Sequence, residues 1–144
     1  ATGDGPMSAN SRQKGAAFER AIARQLHDET GITFKRDLRQ YQEQDHGDLV
    51  PSDDAWPFLI ECKAYATGAD MRPAWWEQAA TAAAKTGAHP AVIYKFNNRP
   101  PRARIAMGAI AEAHGGTPDA PGWVETDIAG LAYVALEIMA RRAE

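Results

Sequence analysis

Gly47-Asp48-Leu49-Val50-Pro51-Ser52-Asp53-Asp54-Ala55-Trp56-Pro57-Phe58-Leu59-Ile60-Glu61-Cys62-Lys63 places two apolar runs on either side of a turn-rich centre. Gly47 to Val50 and Phe58 to Lys63 read as strands, and Pro51 and Pro57 limit how far pairing between them can extend. A hairpin folded symmetrically about Asp54-Ala55 pairs residues whose numbers sum to 109, which sets Asp48 against Glu61 and Val50 against Leu59. Opposed side chains on one sheet face lie ~5 Å apart at Cβ. Strand alternation adds Lys63 to the face of Glu61. Two carboxylates so close repel unless a cation lies between them. Lys63 relieves part of that repulsion, and a divalent ion with oxygen ligands relieves more. Such an ion, Mg²⁺ or Mn²⁺, takes one or two carboxylates together with substrate phosphate oxygens, and it polarises a phosphodiester. The plainer alternative is a cross-strand salt bridge on a solvated face.

Outward from this hairpin, Asn10 or Ser11 caps a helix to about His27, with Ala17, Phe18, Ala21, Ile22 and Leu26 on its apolar side. Ile32 to Arg36 alternates as a half-exposed strand does. Arg72 to Thr86 is helical in composition, with Pro73 suited to the first turn and Gly87 to the end. Ala91 to Phe96 reads as an interior strand, Asn97 to Pro101 as a turn, and Arg104 to Met107 and Trp123 to Thr126 as further short strands. Asp127 caps a last helix, Ile128 to Arg142. Helix, three strands, helix, one or two strands and a final helix make an α/β domain, a central mixed sheet of four to five strands flanked by helices.

The chain has 144 residues, about one domain. Ala1 to Pro6 reads as the scar of an added leader, with Met7 as the natural start and residues 7–144 as a single domain. No apolar run approaches a membrane span. Cys62 is the single cysteine, which excludes an internal disulfide and a multi-cysteine zinc site, and the four histidines show no ligand spacing. A reducing, cytoplasmic setting in a bacterial, archaeal or phage-infected cell is expected. Cys62 itself reads as a small buried residue and His46 as a loop residue. The net charge is −3, but basic residues gather in Arg12, Lys14, Arg20, Arg24, Lys35, Arg36 and Arg39, and again in Lys95, Arg99, Arg102 and Arg104. These are either ordinary solvated charges or the footprint of a nucleic acid.

Gly47-Asp48 and Glu61-Cys62-Lys63, following a helix with Lys14-Gly15-Ala16-Ala17-Phe18-Glu19-Arg20, resemble the PD-(D/E)xK nuclease superfamily. Within it they are most similar to the Holliday junction resolvases of archaea, phages and Gram-positive bacteria. The resemblance runs over about residues 12 to 96. It implies a restriction-endonuclease-like core and a Mg²⁺- or Mn²⁺-dependent endodeoxyribonuclease. Its Asp48 and Glu61 would bind the metal, with the Cys62 carbonyl as a further ligand and Glu19 completing the site through water. Lys63 would be the catalytic lysine. Gln78 resembles the glutamine that holds the lysine or a substrate phosphate. Arg12 and Lys14 resemble a basic segment that grips DNA, with Lys35, Arg36, Arg39, Lys95, Arg99 and Arg102 as further phosphate contacts. A four-way junction substrate would call for paired cuts and a two-fold homodimer, for which the last helix and the Trp75-Trp76 helix are candidate surfaces. Trp75-Trp76 is either a stacking platform for DNA or, more simply, one core and one interface residue. No proline precedes Asp48, and Ala64-Tyr65-Ala66 lacks the serine or threonine of some members. Both departures bear more on the resolvase label than on the nuclease label. The rival readings are a flap, end or duplex nuclease of the same superfamily, a catalytically silent DNA-binding module of the same fold, and a small protein-interaction domain.

Overall fold

The computed structural model describes residues 9–38, 47–68 and 70–144, with side chains from Gly15 onward. The expected leader scar, Arg39 and His46 lie outside the described residues, as do the side chains of Arg12 and Lys14.

Among the described residues ten elements follow in order: α1 (Ala9–Thr30), β1 (Phe34–Arg36), β2 (Leu49–Pro51), β3 (Phe58–Tyr65), α2 (Pro73–Thr86), β4 (His89–Phe96), β5 (Arg102–Ala106), α3 (Met107–Ala113), β6 (Trp123–Thr126) and α4 (Ile128–Arg142). The strands form one six-stranded sheet in the order β1-β2-β3-β4-β5-β6. Only β3 and β4 run parallel, joined by the crossover through α2; the other neighbours are antiparallel. The sheet is therefore mixed, as expected, but it has one or two strands more than the sequence suggested. Both weak candidates at the C-terminal end pair: β5 with β4, and β6 with β5.

The register places opposite faces of the sheet under different helices. Ile60, Ala91, Ile93, Ala103 and Ile105 face Phe18, Ile22 and Leu26 of α1 and Leu131, Ala135 and Ile138 of α4. Val92, Tyr94 and Phe96 face Met71, Trp75 and Ala79 on the α2 side. Each buried aliphatic side chain of this kind is worth ~1.5–3 kcal/mol of transfer free energy. The Asp127 carboxylate caps α4 by accepting the Gly130 N–H at 2.8 Å.

The helix α3 was missed by sequence reasoning, which extended the strand to Met107. Met107 instead opens a helix of small residues with no side-chain cap. A Cβ at Gly108 would lie 2.0 Å from the Pro118 carbonyl oxygen, so only glycine lets the following loop close over this helix. Glu112 of α3 then joins β4 to α4. It meets His89 Nε2 at 2.8 Å and Arg142 at 2.6 and 2.9 Å.

Candidate active site

The one ladder pair between β2 and β3 is Leu49↔Ile60, which has the same sum as the symmetric hairpin. Pairing stops there. Gly47 takes φ +69, and a Cβ on it would lie 2.6 Å from the Ile60 carbonyl oxygen. Glycine is thus required both by its dihedral and by the close approach of two backbones. Asp48 donates its own N–H to Ile60 O at 2.8 Å, while its Oδ2 accepts the Cys62 N–H at 2.6 Å. A carboxylate oxygen stands where a regular strand would offer a carbonyl. So Asp48 sits in a seam where β2 parts from β3, rather than in a plain cross-strand pair with Glu61. Within a strand the N–H and C=O of a residue point the same way. The Cys62 carbonyl consequently faces this seam, past the end of the β2 ladder.

The Asp48 residue is 8% exposed, and burial raises its carboxyl above the ordinary range. Glu61, hydrogen-bonded to it, is pushed up to about 8, first by burial and then by the Asp48 charge. Burial and mutual repulsion therefore both favour keeping a proton on this pair. Lys63 lies on the same strand face as Glu61, and its charge favours ionisation of both Asp48 and Glu61. Glu19 on α1 is close enough to raise Glu61. Its side chain is 14% exposed and accepts a 2.7 Å bond from Arg36 Nε, and burial outweighs that bond to raise its carboxyl. The acids Glu19, Asp48 and Glu61 thus gather round one seam with Lys63.

Among the described residues, no three acidic, histidine or cysteine side chains stand close enough to cage an ion as placed; Glu19 is engaged with Arg36. The donor chemistry nevertheless suits Mg²⁺ or Mn²⁺. Asp48 and Glu61 are hard oxygen donors, hydrogen-bonded to each other, with Asp48 buried and Glu61 half-buried. The Cys62 side chain packs against the α1 core. Burial and the surrounding carboxylates push its thiol well above the ordinary range, which leaves it inert.

The remaining predicted residues scatter. Gln78 is exposed on α2, and among the described residues no hydrogen bond ties it to Lys63. Lys35 and Arg99 are exposed and Lys95 is half-buried. Arg36 is bound to Glu19, and Arg102 lies over the Tyr94 ring and 3.7 Å from Glu125. Trp75 belongs to the core, stacked on Tyr65 at 5.1 Å, while Trp76 is half-buried beside it. Sequence reasoning missed Asp37. It donates its N–H to Asp48 O at 3.0 Å, and its charge raises Asp48. An acid at the end of the first strand was its only signal.

A family model described as "Phage putative PDDEXK endonuclease" matches residues 10–114. No curated protein matches the chain. Among solved structures, Hjc, a Holliday junction resolvase from the archaeal hyperthermophile Archaeoglobus fulgidus, aligns over 60% of this chain and 72% of its own. The identity is 22% and the TM-score 0.46.

Proposed function

Because the chain belongs to the phage PDDEXK endonuclease family, we propose that it hydrolyses DNA phosphodiester bonds with Mg²⁺ or Mn²⁺, as a single domain whose preferred substrate is a four-way junction. The observation that carries the hydrolytic reading is the buried Asp48–Glu61 pair beside Lys63 in the β2–β3 seam. A surface salt bridge would leave these groups solvated. Here burial makes the pair costly in the absence of a cation.

Asp48, Glu61 and the Cys62 carbonyl would hold the ion, with Glu19 joining through water. When bound, it supplies Lewis-acid polarisation of the phosphoryl oxygen and a more acidic water. The ammonium of Lys63 orients the attacking water in line with the leaving oxygen and steadies the negative charge that builds on the phosphoryl oxygens. Lys35, Lys95, Arg99 and Arg102, with Arg12, Lys14, Arg36 and Arg39, contact phosphates that position the strand without reading its bases. The junction preference rests on the likeness of the Lys14–Arg20 helix stretch and of Gly47-Asp48 to junction resolvases. Two symmetric cuts then call for a homodimer.

The test offers labelled four-way junction, flap, single-stranded and duplex DNA with Mg²⁺, using EDTA and Asp48→Asn as controls. Paired cuts in the junction with duplex spared are expected. Cleavage of flaps or plain duplex instead would move the substrate to another branch of DNA processing. Cleavage that survives Asp48→Asn would disprove the site.

A further inference from the structure

We propose that Arg72 is a phosphate-binding residue of the substrate site, gripping the backbone beside the phosphodiester that is cut. The proposal rests on the nuclease reading and extends it to a residue outside the acidic seam.

Arg72 occupies a pinned position. Met71 before it is buried, and Pro73 after it opens α2. Its backbone is extended, φ −77 and ψ 132, as the residue before a proline prefers. The guanidinium lies 4.9 Å from the Tyr65 ring centre and 5.3 Å from that of Trp75, and those two rings are themselves stacked. Aromatic faces attract the cation, but they leave its in-plane fork of N–H donors unspent. The Nη1 atom is buried and, among the described residues, has no hydrogen-bond partner, while Arg72 as a whole is half-buried. Among the described residues no carboxylate forms an ion pair with Arg72, although Asp70 is two residues away and exposed. A cation held rigid, partly desolvated and short of an acceptor is costly unless an anion meets it.

The position identifies that anion. Tyr65 follows Lys63 on the same face of β3, two residues on and ~7 Å along the strand. The fork above Tyr65 therefore stands one step past Lys63. That step is comparable to the separation of neighbouring phosphates along one nucleotide chain. Planar guanidinium donors match phosphate oxygens in pairs, which a lysine cannot reproduce.

The experiment measures binding of fluorescein-labelled duplex and four-way junction DNA in EDTA across a salt series, and cleavage in Mg²⁺. It compares the intact chain with Arg72→Met, Arg72→Lys and Lys85→Met, each checked by thermal melting. Methionine keeps apolar contact with the two rings and removes the charge. Lys85 is exposed at the far end of α2 and controls for loss of any positive charge. Arg72→Met is expected to raise Kd about tenfold and to make the log Kd against log salt slope shallower by about 0.9. Arg72→Lys should keep most of the slope with weaker affinity, and Lys85→Met should match the parent. An Arg72→Met slope equal to the parent's, or equal losses in Arg72→Met and Arg72→Lys, would overturn the assignment while leaving the nuclease intact. A parent chain with neither cleavage nor salt-sensitive DNA affinity would instead remove the nuclease reading on which it rests.

Discussion

The Oδ2 atom of Asp48 takes the backbone N–H of Cys62 at 2.6 Å, so one carboxylate both closes the β2–β3 seam and bonds to Glu61. Charge and hydrogen-bonding capacity can be separated here. Asp48→Asn keeps an acceptor for Cys62 and removes the charge that raises Glu61. It should fold and melt at or above the parent temperature without metal, and cut no DNA. Asp48→Ala strands the Cys62 donor and should be about 1–3 kcal/mol less stable than Asp48→Asn. Urea unfolding of the two variants provides the comparison.

Glu61 titrates at about 8 in the folded chain, against an ordinary value near 4.5. A raised carboxyl means that the folded state holds a proton the unfolded state has lost. The contribution of Glu61 to stability without metal is then fully present below about pH 4.5 and is lost as pH rises towards 8. Adding Mg²⁺ or Mn²⁺ should oppose that loss, and its stabilising effect should grow with pH. Melting curves from pH 5 to 8, with metal and with EDTA, check both slopes. Glu61→Gln should flatten the two. A metal effect that does not change with pH would speak against binding at this pair.

Gly47→Ala should cost about 3 kcal/mol, because the residue needs a positive φ and its new Cβ would meet the Ile60 carbonyl. The damage should fall on the seam. Activity is expected to drop by more than the folded fraction does, as measured by comparing cleavage rates with the fraction folded by circular dichroism.

Glu112 is held down to about 2 by its bonds to Arg142 and His89, with the Arg142 bond the larger cause. A lowered carboxyl contributes stability above its ordinary value near 4.5, and loses it as pH falls towards 2. Glu112→Gln should lower stability at pH 7 by about 1 kcal/mol, since the cluster is partly open to water. The gap from the parent should close on acidification through that window. Thermal melts of the pair at pH 7 and pH 3 measure it.

Much of this was legible because the decisive elements are local. The two prolines and the turn between the two runs narrow where the strands can pair, and the Leu49↔Ile60 pair has the expected register, although Val50 does not pair with Leu59. The break at Asp48 was not legible, since it depends on a side chain replacing a backbone acceptor. Nor was the grip of Arg36 on Glu19, whose partners lie 17 residues apart and meet only when α1 packs on β1. The α3 helix was hidden because its alanines carry no periodic signal and no cap. Trp75 resolved towards core packing once α2 was seen lying over Tyr65, Tyr94 and Phe96.

Each strand of this sheet lies beside its predecessor in the chain. A polypeptide leaving the ribosome N-terminus first can add every strand to an edge already laid down, without threading between earlier ones. The acidic seam of Asp48, Glu61 and Lys63 is complete once residue 63 has emerged, whereas the clasp of Glu112 on Arg142 waits for the last helix. Synthesis thus lays down the acidic seam early and locks the scaffold behind it late.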